Sequence, residues 1–148
     1  RSFNYGYQRK QAYENFHVEN NLKLHPHYYQ DSLKETSLNG IKMTKKLLNL
    51  KTPPTAIICS LDKYFIGCLQ ECQERGLSTP KDISVVGYND HDNYLSSQNL
   101  TFISHPLTKM GKMAVEILEK IEKGEKPYKL SKLIEPILNK GKSDGKIN

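Results

Sequence analysis

Residues 80–90 read Pro80-Lys81-Asp82-Ile83-Ser84-Val85-Val86-Gly87-Tyr88-Asn89-Asp90, and within them Ile83 to Val86 decide the fold. A short β-rich run without regular alternation of polar and apolar residues is what a strand shows when helices cover both of its faces. Thr55 to Cys59 repeats the pattern, and Thr101 to Ser104 gives a third short strand. Longer stretches with helical spacing separate them. That order is the βαβ signature of an α/β domain: a parallel sheet flanked by helices.

The intervening helices announce their own ends. Thr36 or Ser37 can cap a helix running to about Asn49, with Leu38, Ile41, Thr44, Leu47 and Leu48 inward, and Pro53 and Pro54 follow it. Asp62 can cap a third helix to Arg75, with Phe65, Ile66, Leu69 and Cys68 or Cys72 inward and Gly76 as its stop. Upstream, a first helix spans Tyr7 to Asn20 with Ala12, Tyr13 and Phe16 on one face, and His27 to Gln30 is a short strand candidate. Downstream, Gly87 to Gln98 is a polar loop. Pro106 then opens the strongest amphipathic stripe of the chain, Leu107, Met110, Ala114, Val115, Ile117, Leu118 and Ile121, which Gly124 ends. Leu130 to Leu138 is a closing extended segment.

The 148 residues suit one domain, and the absence of an initiator Met before Arg1 is what an excerpt of a longer polypeptide would show. No apolar run approaches the roughly 20 residues of a spanning helix, so membrane insertion is not expected. Net charge is +6, which points toward nucleic acid. Yet only Arg1, Arg9 and Arg75 offer the planar guanidinium that grips phosphates and guanines, and the lysines alternate with Glu in the manner of a solvated helix face. Three cysteines, Cys59, Cys68 and Cys72, contain no Cys-x-x-Cys pair; they make neither a disulfide framework nor a thiolate zinc site and suit a reducing cytoplasm.

In open α/β sheets ligands bind beyond the carboxyl ends of the strands, where loops enter helix N-termini. That rule selects Leu61 and Asp62, Asn89 and Asp90, His105, and Arg9 in the opening helix. Each has a plainer job open to it: Asp62 as a helix cap, Asn89 and Asp90 as turn residues, His105 as a solvated residue before Pro106. A metal site at Asp90, His91 and Asp92 would need adjacent loop residues to converge, so no metal is expected. There is no Gly-x-Ser-x-Gly elbow, dinucleotide fingerprint, Walker loop or His-Glu-x-x-His motif, and neither enzymatic activity nor a cofactor is expected.

The order of segments resembles the lactose-repressor and galactose-repressor family of bacterial transcription regulators. Pro80 to Asp90 is similar to that family's Pro-x-Asp-Ile-Ser-Val-Val-Gly-Phe/Tyr-Asp-Asp, and Leu100-Thr-Phe-Ile-Ser-His-Pro106 to its Leu-Thr-Thr-Ile-x-Gln-Pro. Pro54 to Asp62, Ile66-Gly67, Arg75-Gly76-Leu77, Met110-Gly111 and Gly124-Glu125 continue the match, and Arg9-Lys-Gln-Ala-Tyr13 follows its Arg-x-x-Gly-Phe helix more loosely. The resemblance implies a periplasmic-binding-protein-like fold of type I, mainly its C-terminal subdomain. Residues 1–148 would be an effector-binding and dimerisation region, with 1–104 and 129–148 mainly in the C-terminal subdomain and 105–128 forming a helix of the N-terminal one. The helix-turn-helix that reads DNA has no match in this chain.

The implied effector residues are Arg9, Asn89 and His105, with Leu61, Asp62 and Glu35 beside them and Tyr5 as a stacking ring. Asn89 stands for the family's usual Asp, Leu61 for a frequent Asn, His105 for Gln, and Glu35 for a common aromatic. The implied homodimer surface comprises Tyr64, Gly67, Cys68, Glu71, Tyr94 and Leu95. The function expected is that of a cytoplasmic, sugar-responsive repressor, of a maltose-type operon, whose small carbohydrate or sugar phosphate effector controls operator binding through a helix-turn-helix elsewhere. The alternative is a sugar-binding receptor of a transport system, since that fold is shared. An α/β enzyme using Asp90, His91 and His105 is a third reading.

Overall fold

The computed structural model describes residues 5–89, 94–126 and 131–146, the side chains of Tyr5 and Tyr94 excepted. The elements run α1 (Tyr5–Glu19), α2 (Ser37–Leu48), β1 (Ala56–Ile58), α3 (Asp62–Glu74), β2 (Ser84–Tyr88), α4 (Tyr94–Ser97), β3 (Phe102–Ser104), α5 (Leu107–Glu122) and β4 (Ile137–Asn139). The four strands form one sheet in the order β1-β2-β3-β4. The three expected strands run parallel, Ile57 pairing with Val85 and Tyr88 with Ile103, whereas β4 is antiparallel to β3 through Ile103 and Leu138. The sheet is therefore mixed, because β4 returns alongside β3 after α5.

Helices α2 and α3 form the layer that closes one face. Thr36 caps α2, its hydroxyl accepting from the Asn39 N–H at 3.3 Å. The two helices meet at paired glycines: a Cβ on Gly40 would lie 2.7 Å from the Tyr64 carbonyl oxygen, and one on Gly67 would lie 2.8 Å from the Ile41 nitrogen and collide with the Ser37 carbonyl. Beneath them Phe65, Cys68 and Cys72 of α3 join Ile57, Cys59, Ile83, Val85, Leu95 and Phe102 in the core. All three cysteines are free and buried. The Cys68 thiol is raised above its ordinary pKa, first by its hydrogen bond with Cys59, and Cys72 first by its hydrogen bond with Cys68, with burial adding to both. These are packing residues held neutral.

The opposite face is open. By the strand register, Ile58, Val86, Tyr88, Ile103 and Leu138 share it; Ile58 is 69% exposed and Leu138 58%. The unalternating sequence of β1 thus folds with an alternating burial, Ile57 inside and Ala56 and Ile58 outside, which corrects the reading of a strand covered on both faces. Helix α5 forms as expected and stops at Gly124, whose φ of +91° is the left-handed value that glycine adopts without strain. None of its residues is buried.

The C-terminal residues 141–145 are stitched into the sheet rather than trailing from it. Val85 donates to the Ser143 carbonyl at 2.7 Å, the Ser143 hydroxyl donates to the Val85 carbonyl at 2.7 Å, and the Thr101 N–H donates to that hydroxyl at 2.8 Å. The Thr101 hydroxyl donates to Asp144, and this bond, ahead of the neighbouring Lys140, holds the Asp144 carboxyl below its usual range.

Several local expectations change. His27 to Gln30 is turn and irregular backbone, with the Tyr28 hydroxyl donating to the Thr52 carbonyl at 2.9 Å rather than the backbone joining a sheet. On α1, Ala12 and Phe16 are exposed, and Arg9, Lys10, Tyr13, Glu14 and His17 form the half-buried side. Leu38 is exposed because α2 turns Gly40, Thr44 and Leu47 inward. The polar loop after Gly87 contains the turn of helix α4, and Leu95 within it is fully buried. Pro106 flanks α5 as its cap residue instead of occupying the first turn.

Candidate functional site

The carboxyl ends of β1, β2 and β3 lie side by side, and Arg9, Ser60, Tyr88 and His105 converge there. Arg9, on the second turn of α1, donates from Nη1 to the Ser60 carbonyl at 2.7 Å, just past β1. Its guanidinium carbon lies 3.7 Å from the centroid of the Tyr88 ring, a close cation–π stack. Tyr88 ends β2. Its ring also meets the His105 imidazole edge-on, with centroids 5.4 Å apart and planes at 73°. His105 is exposed beyond β3, at the entrance to α5.

Asn89 follows Tyr88 directly and is half-buried. Its backbone takes the left-handed conformation, φ +65°, which a short amide tolerates better than most side chains, while its N–H donates to the Ile103 carbonyl at 2.8 Å. The chain thereby turns off β2 while still bonded to β3. Arg9, Asn89 and His105 are thus brought to one sheet edge, as the strand-end rule requires.

The rest of the expected set divides. Leu61 occupies the cap position of α3 and packs partly against the core, while no side chain caps that helix. Asp62 falls one residue inside it, where Oδ1 accepts from the Lys63 N–H at 2.7 Å; the expected cap is therefore displaced by one position. Glu35 is exposed in the loop before α2, beside the Tyr64 hydroxyl, which donates to the Ser32 carbonyl at 3.2 Å. Burial first, and then the Glu35 carboxylate, raise the Tyr64 pKa. The Tyr5 side chain and residues Asp90, His91 and Asp92 lie outside the described residues.

Five of the six residues expected on a dimer surface have little surface to give. Tyr64, Cys68 and Glu71 are 8%, 0% and 5% exposed. Tyr64 and Gly67 lie against α2, Cys68 is in the core, and Glu71 accepts from Arg75 Nε at 2.6 Å. Leu95 is equally buried, packed on Gly87, and the Tyr94 side chain lies outside the described residues. For Tyr64 and Gly67 the physical reason is that α2 crosses α3 there, and for Cys68 and Leu95 it is that they face the core.

Tyr88 is the site residue that sequence reasoning missed. It stands inside the most specific motif, but the sequence reading ends the strand at Val86 and places Tyr88 in the polar loop Gly87 to Gln98, whereas β2 continues to Tyr88. Alternation was the available signal: counting from Val85, Tyr88 falls on the face away from α3.

The fold and this strand-end cluster define an α/β domain of the periplasmic-binding-protein-like class. The chain belongs to the periplasmic-binding-protein-like domain family, whose model matches residues 1–143. It is 34% identical over 124 residues to the ribose operon repressor of Haemophilus influenzae, covering 82% of this chain and 37% of that protein. To the transcriptional repressor PurR of Glaesserella parasuis it is 40% identical over 85 residues, 56% of this chain and 25% of that protein. A LacI-family regulatory protein from Chloroflexus aggregans superposes with a TM-score of 0.81 at 28% identity, over 93% of this chain and 50% of that one. A transcriptional regulator from Yersinia pestis gives 0.83 at 28%, over 95% and 51%. The resemblance to LacI-type regulators is thus established, and the chain spans about half the length of these solved structures and less of the curated relatives. No helix among the described residues is long and apolar enough to cross a membrane.

Proposed function

We propose that the chain is the effector-binding part of a LacI-type transcriptional repressor, with a small carbohydrate or sugar phosphate seated at Arg9, Asn89 and His105. The observation that supports this most is the convergence of Arg9 and His105 on Tyr88 at the carboxyl ends of parallel strands, in a fold whose named relatives are repressors. Those relatives favour regulation over transport. In this reading Leu61, Asp62, Glu35 and Tyr5 border the pocket, and the protein works in the cytoplasm without a cofactor or catalytic step. DNA is read by a helix-turn-helix in the same polypeptide.

Residues 105–128 belong to the second lobe of the effector domain, and the effector shifts the equilibrium between two arrangements of the lobes. The unburied α5 stripe supports that division. Homodimerisation is part of the reading, through surface other than the buried residues of α3.

Thermal denaturation of the regulator with ribose, maltose and their phosphates tests the proposal. Ribose is taken from the name of a relative and maltose from the expectation above. A true effector at 100 times its Kd stabilises the protein by about 2.7 kcal/mol, and Arg9→Ala removes that gain. If no carbohydrate moves the melting point, the sugar assignment fails.

A further inference from the structure

We propose that Tyr88 is a positioning residue of the effector site, a ring that sets the Arg9 guanidinium and the His105 imidazole relative to each other before a ligand arrives. The inference rests on the strand-end reading of the site and adds to it a residue and a role. Three separate segments meet on this one ring: α1 through Arg9, the end of β2 through Tyr88 itself, and the exit of β3 through His105.

The geometry fixes orientation as well as distance. The guanidinium carbon lies over the ring at 3.7 Å, and the 2.7 Å bond from Nη1 to the Ser60 carbonyl fixes the direction of one of its N–H groups. Among its described side chains helix α1 has none that is buried, so contacts at its half-buried side, Arg9 among them, set where its cation sits. His105 precedes Pro106, which narrows its backbone to extended conformations, and its imidazole packs on the Tyr88 ring with the two planes at 73°. With Arg9 over a face of the ring, Tyr88 acts on a ligand through its two neighbours. Groups held in place in advance bind more tightly because less ordering is left for the binding step.

The test compares Tyr88→Leu and Tyr88→Phe, both apolar changes at a half-buried position on the open face of the sheet, so the amide spectrum should remain that of the folded chain. The primary readout is the 15N heteronuclear NOE of the Arg9 Nε–H without ligand. The proposal expects backbone-like order in the unmodified chain and in Tyr88→Phe, and loss of that order in Tyr88→Leu. The second readout is titration with D-ribose, weakened about tenfold by Tyr88→Leu and less than about twofold by Tyr88→Phe.

Unchanged Arg9 order in Tyr88→Leu would overturn the proposal. So would equal damage to D-ribose binding by both variants, since that would assign the hydroxyl a direct ligand contact. If the unmodified protein does not bind D-ribose, the choice of sugar fails, and the Arg9 order measurement still decides the role of Tyr88.

Discussion

Helix α3 turns Tyr64 and Gly67 to α2 and Phe65, Cys68 and Cys72 to the core, so two of its sides close within the chain. Helix α5 has the cleaner apolar stripe, yet Leu107 and Leu118 are 68% and 60% exposed and none of its residues is buried. The same division separates the faces of the sheet, with Val85 and Phe102 in the core and Ile58 and Leu138 on the surface. Amphipathic spacing reports where a helix or strand carries apolar surface; it does not report whether the partner lies in the same 148 residues. Energetically the contrast is sharp, because substitutions act through what surrounds a side chain, not through its place in a pattern.

The largest expected effect tests the closed side. Phe65 is fully buried and packs on Gly87 of β2, where a Cβ would come within 2.9 Å of its ring. Phe65→Ala removes that ring from the centre of the core and should destabilise the chain by about 3–5 kcal/mol, read as a lower urea midpoint. A change below about 1 kcal/mol would mean that the α3 layer is not the stability core.

A matched pair of glycines sharpens the comparison. Gly67→Ala places a methyl against the Ser37 carbonyl and the Ile41 nitrogen, backbone atoms that cannot rotate aside, at a cost of about 1–3 kcal/mol. Gly111 lies in the middle of α5 with nothing within 4 Å of its Cβ position. Gly111→Ala should therefore raise the helical circular dichroism signal without lowering the midpoint, as the intrinsic preference of Ala over Gly favours the helix by roughly 0.5–1 kcal/mol. Equal destabilisation at both positions would break the contrast between the helices.

Ser143 gives an effect of intermediate size. Its hydroxyl accepts from Thr101 and donates to Val85 in a buried position, so Ser143→Ala strands both backbone groups and should cost about 1–3 kcal/mol. Truncation after Lys140 should cost at least as much, measured by the same denaturation. Neither loss would occur if residues 141–145 were a loose tail.

Much of the α/β order was legible because it depends on local signals: the Thr36 cap, the left-handed stops at Gly76 and Gly124, and the β-rich runs before α3 and α4. The meeting of Arg9, Asn89 and His105 was legible from one topological rule about strand ends. What escaped depends on contacts far apart in sequence. The α2 crossing that buries Tyr64 needs Gly40 and Gly67 to meet, and nothing near Gly67 in the chain announces Gly40. The tail could not be placed because a serine that completes a buried network reads like any surface serine. Tyr88 escaped twice over: Gly87 and the polar residues after it end the legible strand at Val86, and its importance comes from Arg9, which lies 79 positions earlier by subtraction of the two residue numbers.

The smallest expected effect is the most informative about α5. Leu118 is 60% exposed, so Leu118→Gln removes little buried apolar surface and should change the stability of this chain by less than about 0.5 kcal/mol. An apolar stripe left in water has another consequence, attraction between copies, and the chain alone should self-associate in light scattering while Leu118→Gln lowers the scattering mass. When the same substitution is made in a polypeptide whose second lobe covers α5, burial converts it into a core mutation and its cost should rise to about 2 kcal/mol or more. A substitution that is silent in the short chain and damaging in the longer one would assign α5 to the second lobe. Equal cost in both would show instead that α5 is held by contacts within these residues.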